Sequence, residues 1–188
     1  MRIERYERPD NLAKAAHLVL DEGGYPLAGA VWSGIGARRI PLAVDLSRLD
    51  LDYIADRGDC IEIGAMTTAR QLETSALLEA VYDGLFRSAT GHIAGVQLRN
   101  IVTVGGSVAG KYGFSDLDTL LLALGAQLLF YGGGVMSMEG FLAAPRTEAF
   151  LLLALRLPKG VKASYQSLRI SANDFPALNA CAAREEGG

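Results

Sequence analysis

Apolar positions in the first fifty residues recur with two different periods. Ile3 and Tyr6 lie in a short run that reads as a strand, after which Arg8, Pro9 and Asp10 make a turn with Asp10 or Asn11 as helix cap. Leu12, Ala15, Ala16, Val19 and Leu20 follow at i, i+3, i+4, i+7 and i+8, one face of a helix, and Gly23 and Gly24 stop it. Residues 25–31 and 40–46 are apolar runs of buried-strand length. Strand, helix and strand in this order place the second strand parallel to the first, so a small three-stranded α/β unit is expected.

Beyond residue 50 the pattern changes. Runs 51–55 and 60–64 flank Asp56, Arg57, Gly58 and Asp59, which carry hairpin-turn chemistry. A subdomain boundary is expected there, giving units 1–57 and 58–183 and a frayed polar tail 184–188. Thr67 or Thr68 caps a helix over 69–74, and Ser75 a longer one reaching about Thr90. After the Gly- and Asn-rich stretch 91–113, Ser115 caps an apolar helix over 116–124. Residues 127–131, 135–137, 150–157 and 163–170 read as antiparallel strands separated by turns.

Composition narrows the class. With 50% hydrophobic and 21% charged residues over 188 positions, the chain has enough apolar surface to fold without metal or disulfide staples. A net charge of -3 and the lack of a long basic run argue against nucleic acid as a main partner. The greasiest runs, near 120–124 and 150–155, fall far short of the roughly 20 residues that cross a bilayer. The first ten residues are charged, unlike a secretory signal. A soluble, cytoplasmic chain is the expectation. Cys60 and Cys181 form no CxxC or Cys/His cluster, so they read as reduced thiols, Cys60 as a small core residue.

The most informative segment runs from Gln97 through Arg99, Asn100 and Thr103-Val104-Gly105-Gly106-Ser107 to Ala109. Paired glycines are entropically expensive to order, which makes sense where bare amides approach a ligand closely. Converging N–H groups with the Thr103 and Ser107 hydroxyls suit a diphosphate. A plain Gly turn in a hairpin explains the pair equally well. Gly105-x4-Gly110-Lys111 also matches the first seven positions of a P-loop, but Tyr112 stands where a magnesium-binding Ser or Thr belongs. Gly34-x-Gly36 has Arg39 in place of a third glycine and fails as a dinucleotide fingerprint. No catalytic residue is assigned: His17 and His92 read as surface or structural groups, and Arg99 as a loop-pinning one.

Read in order, these motifs resemble one family. Tyr6 with Arg8-Pro9, Leu27-Ala28-Gly29, Ile63-Gly64-Ala65-Met66-Thr67-Thr68, Arg99-Asn100, Thr103-Val104-Gly105-Gly106, Ser115-Asp116, Leu120, Leu124, Ala126 and Leu157-Pro158 are similar to the FAD-binding medium subunits of molybdenum hydroxylases. That group includes xanthine dehydrogenase and aerobic carbon-monoxide dehydrogenase. The likeness spans nearly the whole chain and is nearest to short flavin subunits encoded beside purine- or selenium-related oxidoreductases.

The resemblance implies an α+β fold of two subdomains, a small three-stranded α/β unit and a larger antiparallel sheet with helices, holding FAD in the cleft between them. It implies electron transfer from an iron–sulfur subunit, fed by a molybdopterin-binding subunit, through FAD to NAD or another acceptor; a homo-oligomer is also open. By position, Leu27, Ala28, Gly29, Ala30, Val31, Trp32 and the following Ser33 make the first pyrophosphate loop. The second runs 103–110 and includes Thr103, Gly105, Gly106, Ser107 and Gly110, with Asp116 toward the ribose or adenine and Leu152 near the flavin ring. Gly64, Ala65, Met66 and Thr67 support the cleft, and Trp32 either stacks on a ring or fills space.

The likeness has gaps. The family's usual first loop, Ala-Gly-Gly-Thr-Asp, here reads Ala28-Gly29-Ala30-Val31-Trp32. Ala30 adds a Cβ and Val31 removes a hydroxyl donor; a hydrogen bond to a charged group is worth about 1.5–3 kcal/mol. Ser107 replaces an Asn, and Gln166 replaces a Lys near the flavin. By the resemblance, the chain is expected to be a short form lacking the family's further C-terminal domain. A degenerate, flavin-free assembly or scaffold subunit is therefore the rival to the FAD reading, and the P-loop nucleotide binder a distant third.

Overall fold

The computed structural model describes residues 1–31, 34–35, 37–145 and 149–185. Strands β1 (Arg2–Glu7), β2 (Tyr25–Leu27) and β3 (Arg39–Asp45) form a wholly parallel sheet in the order β1-β3-β2. Between β1 and β2, helix α1 (Leu12–Ala16) starts at Asn11, whose side chain accepts from the Lys14 amide, and runs on as one wider π turn, His17–Asp21. Ala15, Ala16, Leu18 and Val19 bury against Leu42 and Val44 of β3. The periodicity of the first fifty residues thus becomes a small α/β unit, although β2 stops at Leu27 and leaves 28–31 as a loop.

The hairpin expected around Gly58 joins β4 (Ile54–Asp56) to β5 (Cys60–Gly64). Both strands belong to a five-stranded antiparallel sheet, so the change of sheet falls at 46–53. Its order is β4-β5-β8-β6-β7, with β6 (Gln127–Phe130), β7 (Val135–Ser137) and β8 (Leu152–Pro158). Helix α2 (Ala69–Thr74) opens on a capping box between Thr68 and Gln71. The long helix expected after Ser75 is two helices, α3 (Ala76–Tyr82) and α4 (Leu85–Thr90). Asp83 and Gly84 break it, both with positive φ.

The stretch 91–113 contains α5 (Val96–Arg99) and α6 (Val104–Gly110), and α7 (Asp116–Ala123) follows from its Ser115 cap. One apolar core fills the space between sheet and helices, with Ile61, Ile63, Leu72, Phe86, Leu117, Leu120, Leu128 and Leu155 all buried. Helix α8 (Met138–Ala143) was not signalled by the sequence pattern. Strands β9 (Val161–Leu168) and β10 (Leu178–Glu185) make a separate antiparallel hairpin, its Tyr165 buried in the main core. Arg184 and Glu185, expected in a frayed tail, pair with Lys162 and Val161 as the last residues of β10. A second core cluster joins the two units: Leu46, Leu49 and Leu51 pack with Leu151, just ahead of β8.

Candidate functional site

A crevice of about 470 Å³ opens between the loop after β2 and the start of α6, within the range of roughly 300–1,000 Å³ that ligand pockets span. Tyr25, Arg38 and residues 28–31 form one wall; Ala65, Met66, Thr103, Gly105, Gly106 and Ser107 form the other. Phe150, Leu151 and Leu152 line it from the mouth of β8.

The first wall is held by a close backbone approach. A Cβ on Gly29 would lie 1.7 Å from the Ile101 carbonyl oxygen, so only glycine lets this loop seat against 101. The next residue, Ala30, has φ 54, a left-handed conformation that a Cβ disfavours. Its carbonyl accepts from the Gly34 amide at 2.8 Å. The amides of Gly29, Ala30 and Val31 meet no acceptor among the described residues.

The second wall is different. Thr103 caps α6, its Oγ1 accepting from the Gly106 amide at 3.2 Å. The Val104 amide donates to the Thr67 carbonyl and the Gly105 amide to the Ala65 carbonyl, each at 2.9 Å. The expected nest of Gly105 and Gly106 amides is therefore not formed. A capping Thr followed by small residues folds as a helix, and Gly105 serves packing, since its Cβ would lie 2.7 Å from the Ala65 oxygen. What this wall offers the crevice is the Thr103 hydroxyl proton beside Ser107, whose own hydroxyl donates back to the Thr103 carbonyl.

The same helix removes the P-loop reading. A phosphate cradle needs its glycines in a loop ahead of a helix, whereas here Gly105 and Gly110 lie inside α6 and Lys111 is its C-cap. The Lys111 ammonium donates to the carbonyls of Phe141 and Ala144, the latter at 2.7 Å, and stands 4.2 Å above the Phe141 ring.

Of the residues singled out in the sequence, Ala28, Gly29, Ala30, Val31, Thr103, Gly105, Gly106, Ser107, Gly110 and Leu152 all border the crevice. Leu27 lies beneath it, buried with Ile40 and Ala43. Trp32 lies outside the described residues. Asp116 does not face the crevice: its carboxylate, 6% exposed, takes hydrogen bonds from the Tyr165 hydroxyl and the Arg169 guanidinium, which tie α7 to the β9–β10 hairpin. Two residues on, Asp118 is buried with neither carboxylate oxygen hydrogen-bonded among the described residues. Burial pushes its pKa up to about 7. Arg99 pins a loop as expected, bonding Glu73 at 2.8 Å and the Ala94 carbonyl at 2.9 Å.

Sequence reasoning missed Tyr25, Arg38 and Tyr112 as crevice residues. Arg38 closes the loop before β3, and its guanidinium carbon lies 4.5 Å from the centre of the Tyr25 ring. A basic residue just past a glycine-bearing loop was the available signal.

The fold and crevice together define a two-lobed α+β protein, one lobe on a parallel sheet and one on an antiparallel sheet. The chain belongs to the family described as the FAD binding domain in molybdopterin dehydrogenase, whose model matches residues 1–160. It is 31% identical over 147 residues to YgfM of Escherichia coli K12, an uncharacterized protein, covering 76% of this chain and 55% of that one. It is likewise 31% identical to the carbon monoxide dehydrogenase medium chain of Afipia carboxidovorans, covering 90% of this chain and 65% of that one. A solved Cu,Mo-CO dehydrogenase, in its cyanide-inactivated form, superposes with a TM-score of 0.84 at 27% identity, over 95% of this chain and 68% of that one. The α+β fold of the medium-subunit type expected from the motifs is the fold observed. The chain thus spans between about half and two thirds of the curated relatives' length. No helix among the described residues is long and apolar enough to cross a membrane.

Proposed function

We propose that this chain binds FAD in the crevice and serves as the flavin-carrying electron-transfer subunit of a molybdenum-hydroxylase-type oxidoreductase. The observation that carries the reading is the crevice itself, lined on one side by Gly29, Ala30 and Val31, whose amides meet no acceptor among the described residues, and on the other by Thr103. Amides in such a loop suit an anionic diphosphate. The two lobes, which change over at residues 46–53, would hold the dinucleotide between them, with Leu152 against the ring system. The electron chemistry would be the flavin's, the protein supplying position and electrostatics. The partners in this reading are an iron–sulfur subunit and a molybdopterin-binding subunit in the cytoplasm, with NAD or another acceptor taking the electrons. Titration of the purified chain with FAD tests it: saturable quenching of flavin fluorescence is expected, and FAD is expected in the supernatant after denaturation.

One observation favours a second reading, a flavin-free assembly subunit of such a complex. Ala30 holds a left-handed φ with a Cβ in the loop that would meet phosphate, and Val31 brings no hydroxyl. A colourless chain that takes up no FAD in excess, yet co-purifies with its neighbouring subunits, would establish that role instead.

A further inference from the structure

We infer that Arg38 is the cation that meets the diphosphate of the bound dinucleotide and sets the preference for phosphorylated over phosphate-free flavin. The inference rests on the FAD reading of the crevice and names a residue that reading does not use. Among the described residues the crevice is lined by two cationic side chains, Lys111 and Arg38. Lys111 is committed: its ammonium is bonded to the carbonyls of Phe141 and Ala144 and stacked over the Phe141 ring. Arg38 is not engaged by a carboxylate among the described residues, although most arginines around it are, Arg5, Arg8 and Arg39 each pairing with Glu or Asp.

Arg38 is also positioned rather than dangling. Its carbonyl accepts from the Arg2 amide at 2.8 Å, which fixes the backbone to β1, and its guanidinium lies over the Tyr25 ring of β2. A guanidinium stacked on an aromatic face keeps its edge N–H groups available, and that fork matches phosphate oxygens. The chain needs such a charge. Ala30 and Val31 weaken the amide and hydroxyl contribution of the first loop, and the amides of Gly105 and Gly106 are already bonded inside the chain. Without Arg38, the two negative charges of a diphosphate would enter a crevice whose one other cation among the described lining residues, Lys111, is bonded to carbonyls. Arg38 stands on the same wall as the uncommitted amides of residues 29–31, and a charge-assisted contact from it would restore what that loop has lost.

The test compares FAD, riboflavin and ADP on the wild-type chain, Arg38→Gln and Arg38→Lys, by flavin fluorescence quenching and by ADP competition at two salt concentrations. The wild type is expected to bind FAD more tightly than riboflavin, with ADP competing. Arg38→Gln is expected to lose about ten- to hundredfold in FAD affinity, leave riboflavin affinity unchanged, and flatten the salt dependence of FAD binding. Arg38→Lys keeps the charge and is expected to regain part of the loss, while a thermal melt reports that each variant is folded. Equal FAD affinity in wild type and Arg38→Gln overturns the role of Arg38 and leaves the FAD reading standing. Parallel losses of FAD and riboflavin also overturn it, since they make Arg38 a general packing residue. A wild-type chain that binds no FAD overturns the underlying reading and this inference with it.

Discussion

The two walls of the crevice are built on opposite principles. On the large-lobe side every amide from Val104 to Ser107 has an intramolecular acceptor, and behind α6 lies a single buried core with α7 fixed to the β9–β10 hairpin by Asp116 and Arg169. On the small-lobe side, residues 29–31 have amides without acceptors among the described residues, and Ala30 is strained. On one wall the amides of 104–107 are satisfied; on the other the 29–31 amides find no acceptor among the described residues. A binding site is recognised by unmet polar groups on a rigid support, so under the FAD proposal the small-lobe loop would be the recognition element and the large lobe its scaffold. Family membership alone would have pointed to both glycine loops equally.

Removing the scaffold should have the largest effect. Asp116→Ala leaves Arg169, only 8% exposed at its side chain, without its carboxylate. Breaking one side of a buried ion pair costs about 3–5 kcal/mol. A drop of that size in denaturant unfolding is expected, with the α7 anchor lost. Retained stability would mean that the firm wall does not depend on this tie.

Asp118, on the same helix, sharpens the point through pH. Burial raises its pKa to about 7 from an ordinary 3.8. Below that ordinary value the carboxyl is protonated in folded and unfolded chains alike, and it imposes no penalty. As pH rises toward 7 the unfolded chain gives up the proton while the folded chain keeps it, so stability falls; above 7 the loss is complete, of order 4 kcal/mol at most. Asp118→Asn should therefore be more stable than wild type by about 1–3 kcal/mol at pH 8, with the difference fading in acid. Melts at both pH values decide it, and a pH-independent difference would count against a protonated Asp118.

Breaking the loose wall should harm binding more than folding. Gly29→Ala forces the loop off the Ile101 carbonyl, at a cost of about 1–3 kcal/mol for an overpacked contact. FAD affinity is expected to fall further than stability does, because the displaced residues carry the available amides. Comparison of the flavin titration with the unfolding midpoint checks this, and an unchanged affinity would move the site elsewhere in the crevice.

Much of this contrast was legible in the sequence, and the part that was not has a common cause. The helical period of Leu12 to Leu20, the hairpin at Gly58 and the caps at Thr68 and Ser115 are local signals, and each produced the expected element; Ser75 also caps a helix, but one that stops at Tyr82 instead of reaching Thr90. What failed depended on distant partners. Gly105 looks identical whether its amide cradles an anion or bonds to the Ala65 carbonyl, and only the tertiary approach of Ala65 distinguishes the two. Asp116 followed its motif into α7, but Tyr165 and Arg169, 49 and 53 positions away, set what it faces. Arg38 carries no motif at all; its stacking on Tyr25 exists because β2 and β3 are neighbours in the sheet.

The smallest effect separates the two readings of the chain. Ala30 adopts φ 54, which costs a residue with a Cβ about 1–2 kcal/mol relative to the right-handed region. Ala30→Gly removes that strain, but glycine also gains entropy in the unfolded chain, so the net stability change should be no more than about 1 kcal/mol. Its effect on binding has a definite sign: without the Cβ the 29–31 amides can approach an anion more closely, and FAD affinity should rise severalfold. If the loop is a working phosphate loop carrying one unfavourable residue, Ala30→Gly tightens FAD and leaves riboflavin alone. If the chain persists only for assembly, the variant gains a little stability and no flavin. The pair of titrations, wild type against Ala30→Gly, therefore tells a weakened cofactor site from a lost one.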